Sequence, residues 1–267
     1  MGDICVGTVL TPDPVYHARG AALAAGFPEN VPVEVVNRFC SSGLMAVTVI
    51  ANQIRSGQIE IGLAVGVESM SQKYVGLPCA SYCRFHSLPS ESRHSRLFSF
   101  SDDSPDKGAP PQSESIGINA AAKDCLYPMG WTSENVAQDY NISRDVMDTY
   151  AATSFQRAEH AQKSGYFLNE IVPFDVFVND NDTATNSTTR HRVTVTKDDG
   201  IRYGTTRESL LKIRSAFPQW GQGRTTGGNA SQITDGAAAV MMMTRRKAEA
   251  LGLAILGKHV STAVAGT

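Results

Sequence analysis

Of the five cysteines in this chain, Cys40 stands where a thiol could do chemistry. It lies in the run Val35-Val36-Asn37-Arg38-Phe39-Cys40-Ser41-Ser42-Gly43-Leu44-Met45-Ala46-Val47. The β-branched segment Val31–Val36 leads into a tight polar turn, and a helical apolar pattern follows directly. A thiol at that junction meets the free N–H groups and positive dipole end of a helix, which favour a thiolate. A strand–nucleophile–helix turn is an established way to present such a group. The competing reading is a small buried hydrophobe, the commonest state of a cysteine. Asn37, Arg38, Ser41, Ser42 and Gly43 are poor core residues and weaken that reading, so position alone leaves the two balanced. A second polar run extends from Thr225 to Ala237 and includes Gly227, Gly228, Asn229, Ser231 and Gln232. Its glycines permit close backbone approach to a ligand, and its polar side chains supply donors and acceptors. By composition alone an ordinary polar loop before a strand is favoured. Cys79, Cys83, His86 and His94 have zinc-ligand types, but their spacing fits no common finger and no metal site is expected.

The elements that must position these residues alternate. Strands are expected at Ile4–Leu10, Val31–Val36 and Ile61–Val67, the last as a strand buried on both faces. Helices are expected over Ala18–Ala25 and Ser42–Ser56, the second ended by Gly57. Residues 77–113 are rich in Ser, Pro and Arg without a sustained period and read as loop or disorder. Helices follow near Ser133–Tyr140 and over Arg144–Ser164, with Ser143 as N-cap and Gly165 as stop. Strands at Ile171–Val178 and Arg190–Thr196 flank a polar turn, and a short helix is expected at Arg207–Ile213. The pattern then returns: a turn at Gly227–Asn229, a buried-type strand Ala237–Met243, a helix Arg245–Leu251 and a strand Ala254–Val260. This is an α/β layer structure interrupted by an excursion, with residues 1–72 and 225–267 forming the core and residues 73–224 inserted.

Composition narrows the function. The chain has 267 residues, 42% hydrophobic and 19% charged, with a formal net charge of -2. Those values fit a globular protein and give no reason to expect a nucleic-acid or anionic-membrane partner. No apolar run is long enough to span a bilayer. The N-terminus shows no secretory or other targeting pattern, and without one the odd count of five cysteines in the chain suggests free thiols in a reducing compartment.

Taken together, the two polar runs resemble the thiolase family, specifically 3-ketoacyl-CoA thiolases of the peroxisomal or mitochondrial type. Asn37-Arg38-x-Cys40-Ser41-Ser42-Gly43-Leu44-x-Ala46-Val47 matches the family's acyl-enzyme pattern, and Gly228–Ala237 matches its Gly-Asn-x-Ser-Gln-x-x-Asp-Gly-Ala pattern. Val65–Ser71, Pro128-Met129-Gly130 with Thr132 and Glu134, and Asp199–Arg202 match in family order. The resemblance implies an acyltransferase of fatty-acid β-oxidation. The cysteine at Cys40 would attack the keto carbonyl of a 3-ketoacyl-CoA, release acetyl-CoA and pass its acyl group to a second CoA. It implies that Ser231 contacts the pantetheine arm, that Gly227 lines the same channel and that Met129 packs over the acyl-proximal end. Arg214 falls where a CoA-contacting basic residue often lies, although Ser215 replaces the usual proline. The inserted residues 73–224 would be the CoA-binding loop domain. Coenzyme A enters as co-substrate, with no permanently bound cofactor implied. A homodimer in the peroxisome is the family expectation, with mitochondrion or cytoplasm as alternatives.

The chain also departs from that family. It reads as a truncated N-terminal half of a βαβαβαββ pair, with the first strand and helix missing. The missing strand is expected to be central and to leave a gap in the sheet. The family's Gly-His-Pro histidine, which activates the nucleophile, and its proton-shuttling Cys-x-Gly-x-Gly cysteine are not found, and none of the six histidines is followed by proline. Turnover by these residues alone is therefore expected to be negligible. Residues 77–113 read as a lineage-specific loop or as translated non-coding sequence, with the second favoured. Two alternatives stay open: a non-catalytic dimer partner of a full-length thiolase, and another chemistry of the same superfamily, such as a condensing enzyme.

Overall fold

β-branched runs and helically spaced apolar residues alternate along the chain, and the structure follows that alternation. The computed structural model describes residues 1–11, 13–70, 129–182 and 187–266. The expectations for residues 77–113, including Cys79, Cys83, His86 and His94, lie outside the described residues. In chain order the elements are β1 (Asp3–Gly7), α1 (Pro14–Ala24), β2 (Val33–Val36), α2 (Ser42–Arg55), β3 (Ile61–Glu68), α3 (Met129–Asp139), α4 (Arg144–Lys163), a 3-10 turn (Tyr166–Asn169), β4 (Phe174–Asp182), β5 (Ser187–Val195), α5 (Arg207–Leu211), β6 (Gly236–Met243) and α6 (Arg245–Ala250). They fall into two units, residues 1–70 with 233–266 and residues 129–232.

The first unit is a four-stranded sheet in the order β2-β1-β3-β6. β1 runs parallel to both neighbours, with Ile4 opposite Val33 on one side and Leu63 on the other. β6 runs antiparallel to β3, with Ala239 opposite Val65. The two crossovers travel in opposite directions along the sheet, and a shared right-handedness then puts their helices on opposite faces. The packing agrees: Ile4 and Val6 of β1 bury against Ala18 and Ala22 of α1. Cys5 and Ala64 bury against Ala46 and Ile50 of α2 on the other face. Removing a side chain such as Ile50 from water contributes about 2 kcal/mol. Both helices end in Schellman turns. Gly26 and Phe27 donate back to Leu23 and Ala22, and Gly57 and Gln58 donate back to Ile54 and Gln53. Gly26 and Gly57 take the left-handed conformation that this closure needs.

Three expectations need correction here. β1 is paired along both edges, so the sheet has no central gap. Ala237–Met243 is a strand, but residues 236–241 are exposed rather than buried. Among the described residues β6 pairs only with β3, and an apolar run at a sheet edge cannot be told by composition from one at its centre. Ala254–Val260 is not a strand. Among the described residues it pairs with no strand; instead Arg55 at the end of α2 donates to the carbonyls of His259 and Val260.

In the second unit, α4 is capped by Ser143, whose hydroxyl accepts from Val146 N–H. α5 opens on a reciprocal capping box between Thr206 and Ser209. Ala151 and Ala152 of α4 pack on Leu210 of α5. β4 and β5 form an antiparallel hairpin with Val176 opposite Val193. α3 ends on Asn141 in a left-handed turn, φ 49°, with Ile142 N–H returning to the Ala137 carbonyl.

Candidate active site

The chain folds locally around Cys40 because the serine and asparagine side chains of the Asn37–Ser42 turn bond its backbone. Phe39 holds a left-handed backbone at φ 49°, a conformation that costs a non-glycine residue about 1 kcal/mol or more. Its N–H donates to Asn37 Oδ1 at 3.0 Å, and its carbonyl accepts from Ser42 Oγ at 2.6 Å. Ser42 Oγ also accepts from Arg38 N–H at 2.8 Å, and Ser41 Oγ donates to the Arg38 carbonyl at 2.9 Å. Ser42 is buried, whereas Cys40 and Phe39 are exposed. The turn therefore fixes its serines and leaves the thiol open at the N-terminal end of α2.

Two glycines let that helix end approach the sheet. A Cβ on Gly7 of β1 would lie 2.3 Å from the Ser42 backbone, and one on Gly66 of β3 would lie 3.4 Å from the Gly43 Cα. Cys5, by contrast, is wholly buried. Burial, and then the nearby Glu34 carboxylate, push its thiol up to about 12. Its setting is that of a core residue, unlike the open position of Cys40.

In the second unit a locked turn occupies residues 224–229. Glu134 of α3 is buried, and its carboxylate accepts from Arg224 N–H at 3.0 Å and Thr225 N–H at 2.7 Å. The Arg224 guanidinium donates to the carbonyls of Ala137 and Ile142. Asn229 Oδ1 accepts from Thr226 N–H at 2.8 Å, and its Nδ2 donates to Asp148 Oδ1 at 2.9 Å. Asp148 is fully buried and also accepts from Arg144 Nε at 2.6 Å. Asn229 is thus spent on structure, although its type suggested a ligand donor. Gly228 sits tightly against Ile213 and Leu210, whereas a Cβ on Gly227 would meet nothing within 4 Å. Gln232 Nε2 donates to the Gly200 carbonyl at 2.6 Å. Ser231 is exposed, and its hydroxyl makes only a long 3.4 Å approach to the Gln232 carbonyl.

The candidate residues divide between the units. Cys40 belongs to the first; Met129, Arg214, Gly227 and Ser231 belong to the second. Within the second, Gly227 and Ser231 border the locked turn, exposed Met129 opens the helix whose Glu134 holds that turn, and exposed Arg214 follows Ile213, whose carbonyl accepts from Arg144. Asp148 and Arg224 belong to no sequence motif, and Glu134 and Glu68 enter the sequence pattern only as members of matched runs. Asp148 lies on the same helical stripe as Ala151 and Ala152; an acid on a buried stripe was the available signal. Among the described residues no cluster of three His, Cys, Asp or Glu could hold a metal ion, and no helix is long and apolar enough to cross a membrane.

Comparison with known proteins agrees with this architecture. Residues 1–246 match the family model for the thiolase N-terminal domain. The human peroxisomal 3-ketoacyl-CoA thiolase is 44% identical over 267 residues, covering 100% of this chain and 54% of that protein. The dimeric peroxisomal thiolase of Saccharomyces cerevisiae superimposes with a TM-score of 0.75 at 37% identity, over 97% of this chain and 55% of that one. A human mitochondrial 3-ketoacyl-CoA thiolase in complex with CoA gives a TM-score of 0.67 at 27% identity, over 94% of this chain and 55% of that one. The chain spans about half the length of the relatives it matches. With the matched α/β core, the Cys40 turn and the 224–232 turn on one polypeptide, the chain belongs to the thiolase family and corresponds to its N-terminal domain.

Proposed function

We propose that the chain carries the acyl-accepting site of a 3-ketoacyl-CoA thiolase of fatty-acid β-oxidation, with Cys40 as the nucleophile. The observation that carries this reading is the exposed thiol at the mouth of α2, on a turn whose asparagine and serine side chains are already engaged. The Cys40 thiolate adds to the C3 carbonyl of a 3-ketoacyl-CoA. The C2–C3 bond breaks, its electron pair stays on C2, and that carbon takes up a proton to leave as acetyl-CoA. The acyl group remains as a thioester on Cys40. The thiolate of a second CoA then attacks that carbonyl and releases Cys40. A thioester keeps the acyl group activated between the steps, which suits sulfur better than a serine oxygen.

In this reading residues 73–224 are the CoA-binding loop domain and residues 1–72 with 225–267 the core, with the turn at 225–232 packing in the second unit. Ser231 offers its exposed hydroxyl to the pantetheine arm, and Gly227 leaves room for it. Met129 packs near the acyl end and Arg214 supplies a cation to the CoA phosphates. Support comes from the CoA complex of the mitochondrial relative. By likeness to its peroxisomal relatives, including the dimeric yeast enzyme, the protein acts in the peroxisome as a dimer. His259 does not serve as base to Cys40. It is engaged with Arg55 and Thr262, and the 14 residues of α2 put roughly 20 Å between that end of the helix and Cys40.

The test is acylation. Folded protein exposed to acetoacetyl-CoA should gain an acetyl mass on the peptide containing Cys40, and Cys40→Ala should not. Steady-state thiolysis by these residues alone should stay at the level of the Cys40→Ala control. An acetyl adduct elsewhere, with Cys40 unmodified, would refute the assignment. A second reading, a non-catalytic partner of a full-length thiolase, draws on the exposed apolar strand β6. Co-purification with a full-length subunit while Cys40 stays unacylated would favour it.

A further inference from the structure

Asn37 lies three residues before Cys40 and hydrogen-bonds in two directions. Its Oδ1 accepts from Phe39 N–H, and its Nδ2 donates to the Val9 carbonyl at 3.2 Å. That carbonyl belongs to the peptide unit joining Val9 to Leu10. The N–H of the same unit, on Leu10, donates to the Glu68 carboxylate at 3.2 Å to Oε1 and 3.4 Å to Oε2. Val9 N–H donates to Glu68 Oε2 at 2.9 Å. A carboxylate at the end of β3 thus grips the loop after β1, and that loop grips the turn after β2. Each bond polarises the next across one peptide unit, so the chain strengthens cooperatively. Its last bond fixes the N–H of Phe39, the residue in the unfavourable left-handed conformation.

We propose that Glu68 and Asn37 are positioning residues for Cys40, acting in series through the Val9–Leu10 peptide to hold Phe39 left-handed and so aim the thiol from the mouth of α2. Glu68 anchors the relay because a carboxylate accepting amide N–H groups makes stronger bonds than a neutral acceptor. The importance of the relay for acyl transfer rests on the role proposed above for Cys40; its effect on the thiol does not. A merely structural Glu68 or Asn37 would alter stability and leave the reactivity of Cys40 in the folded protein unchanged.

The test is iodoacetamide alkylation of the whole chain, resolved by peptide mass, with buried Cys5 as an internal reporter of folding. Asn37→Ala and Glu68→Ala are each expected to slow Cys40 alkylation about fivefold, the factor set by one net hydrogen bond, while Cys5 stays unmodified. The double variant should fall no further than either single one, since both act on the same element. Glu68→Gln should recover part of the loss. Wild-type rates in both alanine variants, or a double variant slowed by the product of the two single effects, would overturn the proposal. If either alanine variant exposes Cys5, Glu68→Gln decides. It weakens the grip on the Val9 and Leu10 N–H groups and removes a negative charge, which by itself would not slow alkylation, so a slowed rate supports the relay while a wild-type rate refutes it. Coupled alkylation without acylation by acetoacetyl-CoA would refute the acyl-accepting role and leave the relay standing.

Discussion

Neighbouring residues of the same type hold very different positions in this protein. Gly227 and Gly228 are adjacent, yet only Gly228 is crowded: a Cβ there would lie 2.6 Å from both Leu210 and Ile213 side chains. Gly228→Ala should therefore cost about 1–3 kcal/mol of stability. Gly227→Ala should change stability by less than ~0.5 kcal/mol and still weaken CoA binding if the pantetheine arm passes there. Denaturation curves beside calorimetric titration with CoA separate the two effects. Cys5 gives a pH signature. An unfolded thiol ionises from about 9.0, and the buried one is held up to about 12. Between those values the unfolded chain has released a proton that the native chain retains, so stability falls as pH rises through this window. Cys5→Ala should flatten that loss, as seen in denaturant midpoints at about pH 8 and about pH 10.5.

At the scale of elements, the position of Cys40 depends on how closely α2 meets the sheet. Gly7→Ala would press a methyl group into the Ser42 backbone at 2.3 Å. Backbone cannot step aside as a side-chain tip can, so a loss of about 2–3 kcal/mol is expected, together with altered alkylation of Cys40. The turn at 224–229 depends on acids from two helices. Glu134→Ala would leave the buried N–H groups of Arg224 and Thr225 without their acceptor and should cost about 2–4 kcal/mol. Glu134→Gln, which keeps one carbonyl oxygen, should fall between that variant and the native protein. The midpoint of urea unfolding measures both.

For the whole molecule, the side of β6 that no other described strand pairs dominates. Gly236-Ala-Ala-Ala-Val-Met-Met-Met243 carries no charge, and Val240 and Met241 are exposed. Such an edge is a template for pairing with another chain. Association that grows with concentration is expected in light scattering. Met241→Lys should reduce it while leaving the unfolding midpoint nearly unchanged, because the native side chain is about half exposed.

The sequence by itself determined the local structure. Helix stops at Gly57 and Gly165, the Ser143 cap, the strand–turn–helix order around Cys40 and the thiolase resemblance were legible because capping, periodicity and motif spacing act over a few residues. Tertiary structure decided what depends on distant partners. Ala237–Met243 and Ala254–Val260 were both expected as strands; pairing with β3 made the first one, and among the described residues nothing pairs with the second. β1 became an inner strand because β3 crossed to its free side, a choice that no local pattern encodes. Asn229 looked like a ligand donor until Asp148, 81 positions away, took its amide. The link from Glu68 through Val9 to the turn that presents Cys40 joins segments 58 and 28 positions apart, and such hydrogen bonds exist only once the sheet has brought the ends of its strands together.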